Sequence, residues 1–211
     1  MNEQITSSIG PKLQVTGLVG FTGLATSGKD LLCAKIKERG SVNRMALADN
    51  LKSDVRGFLI DKFSIDIMNC SPAEKELIRP LLVAYGKVKR IQTKGTYWTS
   101  KIEHEARNKK TSSVVVVTDV RYCDTKYADD EVYWLKRLGG VLVHISRYEI
   151  KNGKKNFVVP PNDDEAYFDP ILSAIADYHV EWPTCKDDPD MLNSYVDSLV
   201  EWLNGNLRNQ R

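Results

Sequence analysis

Five short apolar segments alternate along the chain with stretches in which apolar residues recur every three or four positions. Each apolar segment is typical of a strand buried in a sheet. The segments are residues 13–21, 42–47, 113–118, 141–146 and 178–182. Because strands that alternate with helices pair in parallel, the pattern predicts a doubly wound α/β fold with its ligands at the carboxyl ends of the strands.

Helical periodicity fills the intervals between these segments. A stripe from Leu51 to Leu59 marks one helix. The tetrad Ser71-Pro72-Ala73-Glu74 marks the start of another, since it combines a capping serine, a proline suited to the first turn and a glutamate that completes a capping box. Pro80 then interrupts the apolar stripe, because proline lacks an N–H and crowds the preceding turn. The sequence therefore predicts that Arg79 lies at a kink or between two helices.

A glycine-rich segment, Gly23-Leu24-Ala25-Thr26-Ser27-Gly28-Lys29-Asp30, stands between the first strand and the first helix. Its glycines let backbone N–H groups turn inward toward a phosphate, and the lysine and the helix N-terminus attract the anion. Asp30 replaces the usual Ser or Thr of a P-loop, and its carboxylate can reach Mg²⁺ directly or through water. The alternative is a strand-to-helix turn that binds nothing. The predicted phosphate-binding residues are Gly23, Thr26, Ser27, Gly28, Lys29, Asp30 and Leu31.

Polar side chains follow the ends of several predicted strands, so the fold gathers them at one rim of the sheet. They are Lys29, Asp30, Asp49, Asp119, Arg121 and Arg147. Asp119 either holds Mg²⁺ or orients a substrate, or it caps the next helix. Arg121 either clamps a phosphate or forms a surface ion pair. For Asp49 and Lys52, capping and solvation compete equally with substrate contact.

Further candidates for substrate binding lie between residues 79 and 98. Arg79 and Arg90 flank an apolar stripe that ends at Tyr85, and they either bind an anion or form a solvated helix face. Tyr97 and Trp98 either stack on a base or belong to the core. These residues extend the predicted site beyond the P-loop without fixing the acceptor.

Charge is unevenly distributed although the net charge is only +2. Residues 87–110 contain eight Lys and Arg against two Glu, which places the expected anionic substrate in that part of the chain. The near-neutral total argues against a nucleic-acid partner, and the apolar segments are too short for a membrane span. Four scattered cysteines indicate neither a zinc cluster nor a redox motif, and they fit a reducing compartment.

Four segments together resemble the phage-type deoxynucleoside monophosphate (dNMP) kinases. They are the P-loop ending Ser27-Gly28-Lys29-Asp30, the segment Met45-Ala46-Leu47-Ala48-Asp49-Asn50-Leu51-Lys52, the helix from Arg79 to Arg90 with Tyr85-Gly86, and Thr118-Asp119-Val120-Arg121 before Gly139-Gly140. Asp commonly replaces the P-loop Ser or Thr in that family. The resemblance covers about residues 15 to 182. It departs at Leu31, where the family commonly has Thr, and at residues 151–161, which match no family segment.

The fold that the resemblance implies is that of the P-loop nucleoside monophosphate kinases. This is a three-layer α/β domain with a parallel five-stranded sheet of order 2-3-1-4-5 and helices on both faces. Residues 1–12 are expected to form a flexible tail and residues 13–211 a single domain. Within it, about residues 50–110 form a mobile nucleotide-binding region and about residues 147–162 a lid or loop. A homodimer is left open, and the implied location is the cytoplasm of a phage-infected host.

The activity that the resemblance implies is transfer of the γ-phosphoryl of ATP to a dNMP, with Mg²⁺, to give a dNDP and ADP. The implied catalytic residues are Lys29, Asp30, Asp119, Arg121 and Arg147, with Asp30 and Asp119 at the metal. The implied acceptor-binding residues are Asp49, Lys52, Arg79, Tyr85, Arg90, Trp98, Asp119 and Arg121. Two alternatives stay open: a P-loop kinase for dephospho-coenzyme A or a hydroxyl of modified DNA, and a nucleotide-binding protein without turnover.

Overall fold

A computed structural model describes residues 10–127, 130–184 and 189–207 of the protein. The strands are β1 (Gly17–Thr22), β2 (Val42–Met45), β3 (Val114–Val117), β4 (Val141–Lys151), β5 (Lys154–Phe157) and β6 (Tyr178–Pro183). The helices are α1 (Lys29–Lys37), α2 (Leu47–Phe63), α3 (Pro72–Gln92), α4 (Thr96–Lys109), α5 (Glu131–Arg137), α6 (Asp163–Ile175) and α7 (Asn193–Asn206), with a 3₁₀ turn at Pro189–Leu192.

The described strands form one sheet whose path is β2-β3-β1-β4-β5, with β6 also paired to β4. Strands β2, β3, β1, β4 and β6 run parallel, whereas β5 runs antiparallel to the end of β4. The sequence predicted five parallel strands, and the described part of the chain adds the antiparallel β5, which makes the sheet mixed and six-stranded. The predicted α/β class is confirmed.

Helices cover both faces of the sheet and create two cores. Helices α1 and α7 pack on one face, against alternate strand residues such as Val19 and Val116. Helices α4, α5 and α6 pack on the other face, against Leu18, Val115 and their neighbours. All four valines of β3 are fully buried, as the unbroken β-branched run predicts for a strand covered on both faces. The fold thus has the three predicted layers.

A smaller third core lies between α2 and α3, apart from the two cores on the sheet. It contains Val55, Leu59, Ile65, Ile67 and Ile78. The predicted capping box starts α3, with the Ser71 hydroxyl accepting from the Glu74 N–H at 3.2 Å and the Glu74 carboxylate accepting from the Ser71 N–H at 2.8 Å. The expected break at Pro80 does not divide α3, which continues from Pro72 to Gln92 around an exposed proline.

The segment at residues 147–162, predicted from sequence as a lid or loop, contains regular structure. It holds the end of β4, a tight turn with positive φ at Asn152 and Gly153, and β5. The hairpin was not predicted because all four residues of β5 are exposed, so the sequence shows no alternation of apolar and polar residues there. A separate finding is that no described helix is both long and apolar enough to cross a membrane.

Of the predicted N-terminal tail, residues 1–9 lie outside the described residues. Residues 10–12 are described and lie against α7. The carbonyl of Lys12 accepts a hydrogen bond from Asn204 Nδ2 at 2.9 Å, and a side chain at Gly10 would collide with Asp197. The tail that the sequence predicts is therefore anchored at its end.

Candidate functional site

The loop between β1 and α1 has the backbone conformation that its glycines permit. Gly23 has φ 122° and Gly28 has φ 95°, values in the left-handed region that favours glycine. A Cβ at Gly23 would lie 2.1 Å from the Ile145 carbonyl oxygen, and one at Gly28 would lie 2.5 Å from Trp182 Cζ2. Both glycines are therefore required by conformation and by space.

Lys29 lies at the centre of this loop and is almost fully buried. Its ammonium donates at 2.6 Å to the carbonyl oxygens of Gly23 and Leu24 and at 3.3 Å to the Ser27 hydroxyl. Burial, together with the nearby Arg121 guanidinium, lowers the pKa of Lys29 to about 8. The ammonium is thus held inside the curve of the loop, where a bound phosphate would meet it.

A buried tryptophan of β6 holds the loop in place through a hydrogen bond to the loop backbone. The buried Trp182 of β6 donates from Nε1 to the Ser27 carbonyl oxygen at 2.8 Å. In the same region, the Thr22 hydroxyl is buried and has no hydrogen-bond partner in the described part of the chain. The glycine conformations, the central ammonium and this unused hydroxyl fit a loop built to bind phosphate.

Glu165, which the sequence analysis did not identify, reaches this loop from the first turn of α6. Its Oε2 accepts from the Ala25 N–H at 2.6 Å, and its Oε1 accepts from Arg121 Nη1 at 2.6 Å. A small pocket is lined by Thr22, Gly23, Arg121 and Glu165 together with α6 residues. One carboxylate therefore joins the P-loop to the predicted phosphate-binding arginine.

Asp119 lies at the end of β3, as predicted, and caps the first turn of α2. Its two carboxylate oxygens accept from the N–H groups of Leu47 and Ala48 at 2.8 and 2.7 Å. Burial raises the pKa of Asp119 although both N–H groups favour its ionised form. The geometry matches the capping alternative, but the capped helix is α2, which precedes β3 in the sequence, and not α5, which follows it. Its predicted role at the metal stays a prediction.

Asp30 and Asp49 are joined by Arg44, a β2 residue that the sequence analysis did not select. Arg44 donates from Nε to Asp30 and from Nη1 to Asp49, both at 2.8 Å. The Lys52 ammonium also pairs with the Asp49 carboxylate, at 3.2 Å. Burial opposes ionisation of Asp49, yet the hydrogen bonds from Arg44 and Lys52 bring its pKa below the ordinary value. The structure thus gathers three of the predicted residues at one end of β2.

The Arg121 backbone is fixed by a buried carboxylate at the start of α5. Oε2 of Glu131 accepts from the N–H groups of Arg121 and Tyr122 at 2.5 and 3.2 Å. Burial, reinforced by the neighbouring Asp130, raises the pKa of Glu131 to about 8. Glu131 is a second residue that the sequence analysis missed, and it positions the loop that carries Arg121.

Arg90 is engaged within the protein. Its guanidinium donates to both carboxylate oxygens of the fully buried Asp130, at 3.2 and 2.7 Å. It also lies over the Tyr122 ring, 4.1 Å from the centroid. Because it is buried and paired in a bidentate contact, Arg90 is placed to hold α3 against the loop that follows β3.

The remaining acceptor candidates divide between core and surface. Trp98 is buried, with its Nε1 3.4 Å from the Gly86 carbonyl oxygen, so the core alternative describes its position. The Tyr85 hydroxyl lies 3.3 Å from an Asp54 oxygen. Arg79 is exposed and pairs with Glu76 one turn earlier on α3. Of these, Arg79 is the most accessible to a ligand.

Arg147 and Leu31 are the last two of the predicted site residues. Arg147, in the middle of β4 and opposite Trp182 of β6, helps to line a cavity of about 180 Å³ beside Leu24 and Ser27. Its Nε is buried without a hydrogen-bond partner in the described ranges. Leu31 lies in the first turn of α1, with 44% of its surface exposed. The described residues contain no cluster of three or more His, Cys, Asp or Glu side chains arranged to hold a metal ion.

Comparison of the chain with known proteins adds little to this geometry. The protein-family models and the curated proteins that were searched include no match. Among solved structures, the chain is similar to shikimate kinase from Bacteroides thetaiotaomicron, at 13% identity and a TM-score of 0.36, over 90% of this chain and 99% of that one. A likeness this weak carries no argument about activity, so the functional argument rests on the site.

Proposed function

We propose that the protein is a P-loop kinase that transfers the γ-phosphoryl group of ATP to a deoxynucleoside monophosphate. The observation that carries this proposal is an anion seat, defined as the place where the Ala25 N–H and the Arg121 guanidinium converge on the Glu165 carboxylate. The buried Lys29 ammonium is close enough to interact electrostatically with that carboxylate. A place that holds a carboxylate between an N–H, a guanidinium and an ammonium is chemically suited to a phosphate.

The donor side of this proposal uses the P-loop. Loop N–H groups and Lys29 hold the phosphates of ATP, and Asp30 is the exposed carboxylate nearest in sequence to them. Mg²⁺ would be held near Asp30, with Asp119 as the second predicted carboxylate, and would neutralise phosphate charge. The residues present fit this group, because carboxylate oxygens are the ligands that Mg²⁺ prefers.

The proposed acceptor-binding residues rest on the sequence resemblance and on how accessible each side chain is to a ligand. Arg121 and Arg79 are the arginines proposed to contact the acceptor phosphate, since Arg79 is held only by an exposed i,i+3 pair, of a kind worth less than about 1 kcal/mol. Asp49, Lys52 and Tyr85 are proposed to contact the rest of the acceptor. A phosphate oxygen of the dNMP forms the new bond to the γ-phosphorus while the bond to the β,γ-bridging oxygen breaks, and ADP leaves.

A coupled assay of ADP release tests this proposal. Purified protein is given Mg·ATP with each member of a panel of NMPs, dNMPs, dephospho-coenzyme A and DNA. We expect ADP release above the ATP-only rate with at least one dNMP. ADP release with only DNA or only dephospho-coenzyme A would show that the acceptor is not a dNMP. No ADP release with any acceptor would favour a binding protein without turnover.

A further inference from the structure

Several contacts fix the position of the first turn of α6 and, with it, the Glu165 carboxylate at the anion seat. Glu165 is nearly buried, with 11% of its side chain exposed. The Asn162 side chain caps α6 by accepting from the Glu165 N–H at 2.9 Å, and its amide lies 3.3 Å from Glu165 Oε1. Farther along the helix, Asp169 contacts His144 of β4 at 3.1 Å. The carboxylate is therefore held at a defined position in the loop.

This carboxylate occupies groups that the nucleotide phosphates require, namely the Ala25 N–H on the proposed donor side and Arg121 on the proposed acceptor side. The Ala25 N–H can donate one strong hydrogen bond, and it already donates to Glu165. Arg121 Nη1 likewise donates to Glu165 at 2.6 Å. Since a carboxylate and a phosphate are both oxygen anions, they compete for the same donors, and their like charges exclude simultaneous occupation.

We propose that Glu165 is a displaceable plug, an autoinhibitory carboxylate that closes the P-loop until the donor phosphate expels it. This inference rests on the donor half of the proposed function and is independent of the acceptor. The apparent affinity for ATP is then the intrinsic affinity multiplied by the fraction of molecules in which Glu165 has left the loop. Expulsion also frees Arg121, so that donor binding prepares the arginine that contacts the acceptor, and the two ligands bind in a coupled manner.

The test compares Glu165→Gln with a matched control, Asp164→Asn. Both changes remove one negative charge from the first turn of α6, but Asp164 contacts Tyr122 and Lys87, and among the described residues no hydrogen bond or ion pair joins it to the P-loop. The measurement is the Kd of Mg·ATP by isothermal titration calorimetry, without acceptor, after circular dichroism has shown that each variant is folded. We expect the Kd of Glu165→Gln to fall about tenfold and that of Asp164→Asn to stay within about twofold of the wild type.

The outcomes separate this proposal from the proposed function. If the wild type binds ATP and Glu165→Gln binds it no more tightly than Asp164→Asn does, the plug is refuted while the P-loop assignment survives. Weaker binding by Glu165→Gln also refutes the plug, since it would make Glu165 a residue that supports the bound nucleotide. Loss of dNMP phosphorylation in every assay leaves the plug intact if ATP binding tightens as expected. Absence of ATP binding by all three proteins overturns both proposals.

Discussion

The P-loop and the α2–α3 lobe, defined as residues 47–92, are built in different ways. The loop stands on the large cores of the sheet, with glycines fixed by the Ile145 carbonyl and by Trp182. The lobe has a small core of five buried residues, and the ion pair of Arg90 with Asp130 ties it to the loop that follows β3. Small cores open at lower free energy than large ones. The comparison predicts that the proposed donor site is rigid and that the proposed acceptor region moves more readily.

The largest expected effect is on the donor side. Lys29→Ala should lower kcat by about 10²- to 10³-fold, because it removes the one cation at the centre of the loop. The fold should persist, since Lys29 contacts loop carbonyls and not the main cores. Steady-state kinetics and a thermal melt measure both effects, and Lys37→Ala, an exposed change on α1, is the control. Full activity in Lys29→Ala would end the P-loop assignment.

Arg121 is proposed to contact the acceptor phosphate, so its loss should affect the acceptor more than the donor. Removing a charge-assisted contact costs about 1.5 to 3 kcal/mol, or roughly 10- to 150-fold in kcat/KM. We expect this loss when dNMP is varied at saturating ATP in Arg121→Ala. If the loss appears only when ATP is varied, Arg121 belongs to the donor site, and the division between the two regions must be redrawn.

A core substitution in the lobe tests whether the lobe serves the acceptor. Leu59→Ala deletes a fully buried side chain and should lower the free energy of unfolding by about 2 to 5 kcal/mol. Leu199→Ala makes the same change in the core beneath α7. We expect Leu59→Ala to raise the KM for dNMP while the Kd for ATP is unchanged, and Leu199→Ala to change neither. An unaltered dNMP KM in Leu59→Ala would contradict a role of the lobe in acceptor binding.

The smallest expected effect is a pH dependence of stability due to Glu131. Its folded pKa is raised to about 8, above the unfolded value, so its contribution is full below about pH 4.5 and is lost as pH rises through 8. Glu131→Gln keeps an acceptor oxygen for the Arg121 N–H but cannot ionise. The melting temperature of the wild type should therefore fall by a few °C relative to Glu131→Gln over that range.

Glu38→Gln is the control for this pH series, because Glu38 is an exposed glutamate with a single 3.7 Å ion pair to Lys35. Its melting temperature should follow that of the wild type at every pH. A constant difference between wild type and Glu131→Gln across the series would show that the buried carboxyl does not titrate in this range.

The sequence predicted those parts of the candidate site that lie in one short segment or directly follow a buried strand. The P-loop follows from eight consecutive residues, and Asp119 and Arg121 follow from their place after a buried strand. Glu165, Glu131 and Arg44 were missed because their contacts join separate elements, and a single sequence carries no signal for a pair such as Arg121 with Glu165, 44 residues apart.

Fold predictions failed where pairing or exposure overrides local pattern. Strand β5 is a lysine- and asparagine-containing segment without periodicity, and it is extended because it pairs with β4. Pro80 lies on the exposed side of α3 and the helix is continuous through it, so of the two predicted alternatives, a kink at Arg79 or two separate helices, the second is excluded. The pairing of Arg90 with Asp130, 40 residues away, was not predicted because a single sequence carries no signal for it, and the contact of Arg90 with a ligand stays a prediction.

Transfer of a radioactive γ-phosphoryl group tests the central claim most directly. The protein is incubated with γ-³²P-labelled ATP, Mg²⁺ and the preferred dNMP, and the products are separated by chromatography, with Lys29→Ala in parallel. We expect the label to appear in the corresponding dNDP with the wild type and to be absent from it with Lys29→Ala. Label found only in inorganic phosphate or in DNA, or equal labelling of the dNDP by both proteins, would contradict it.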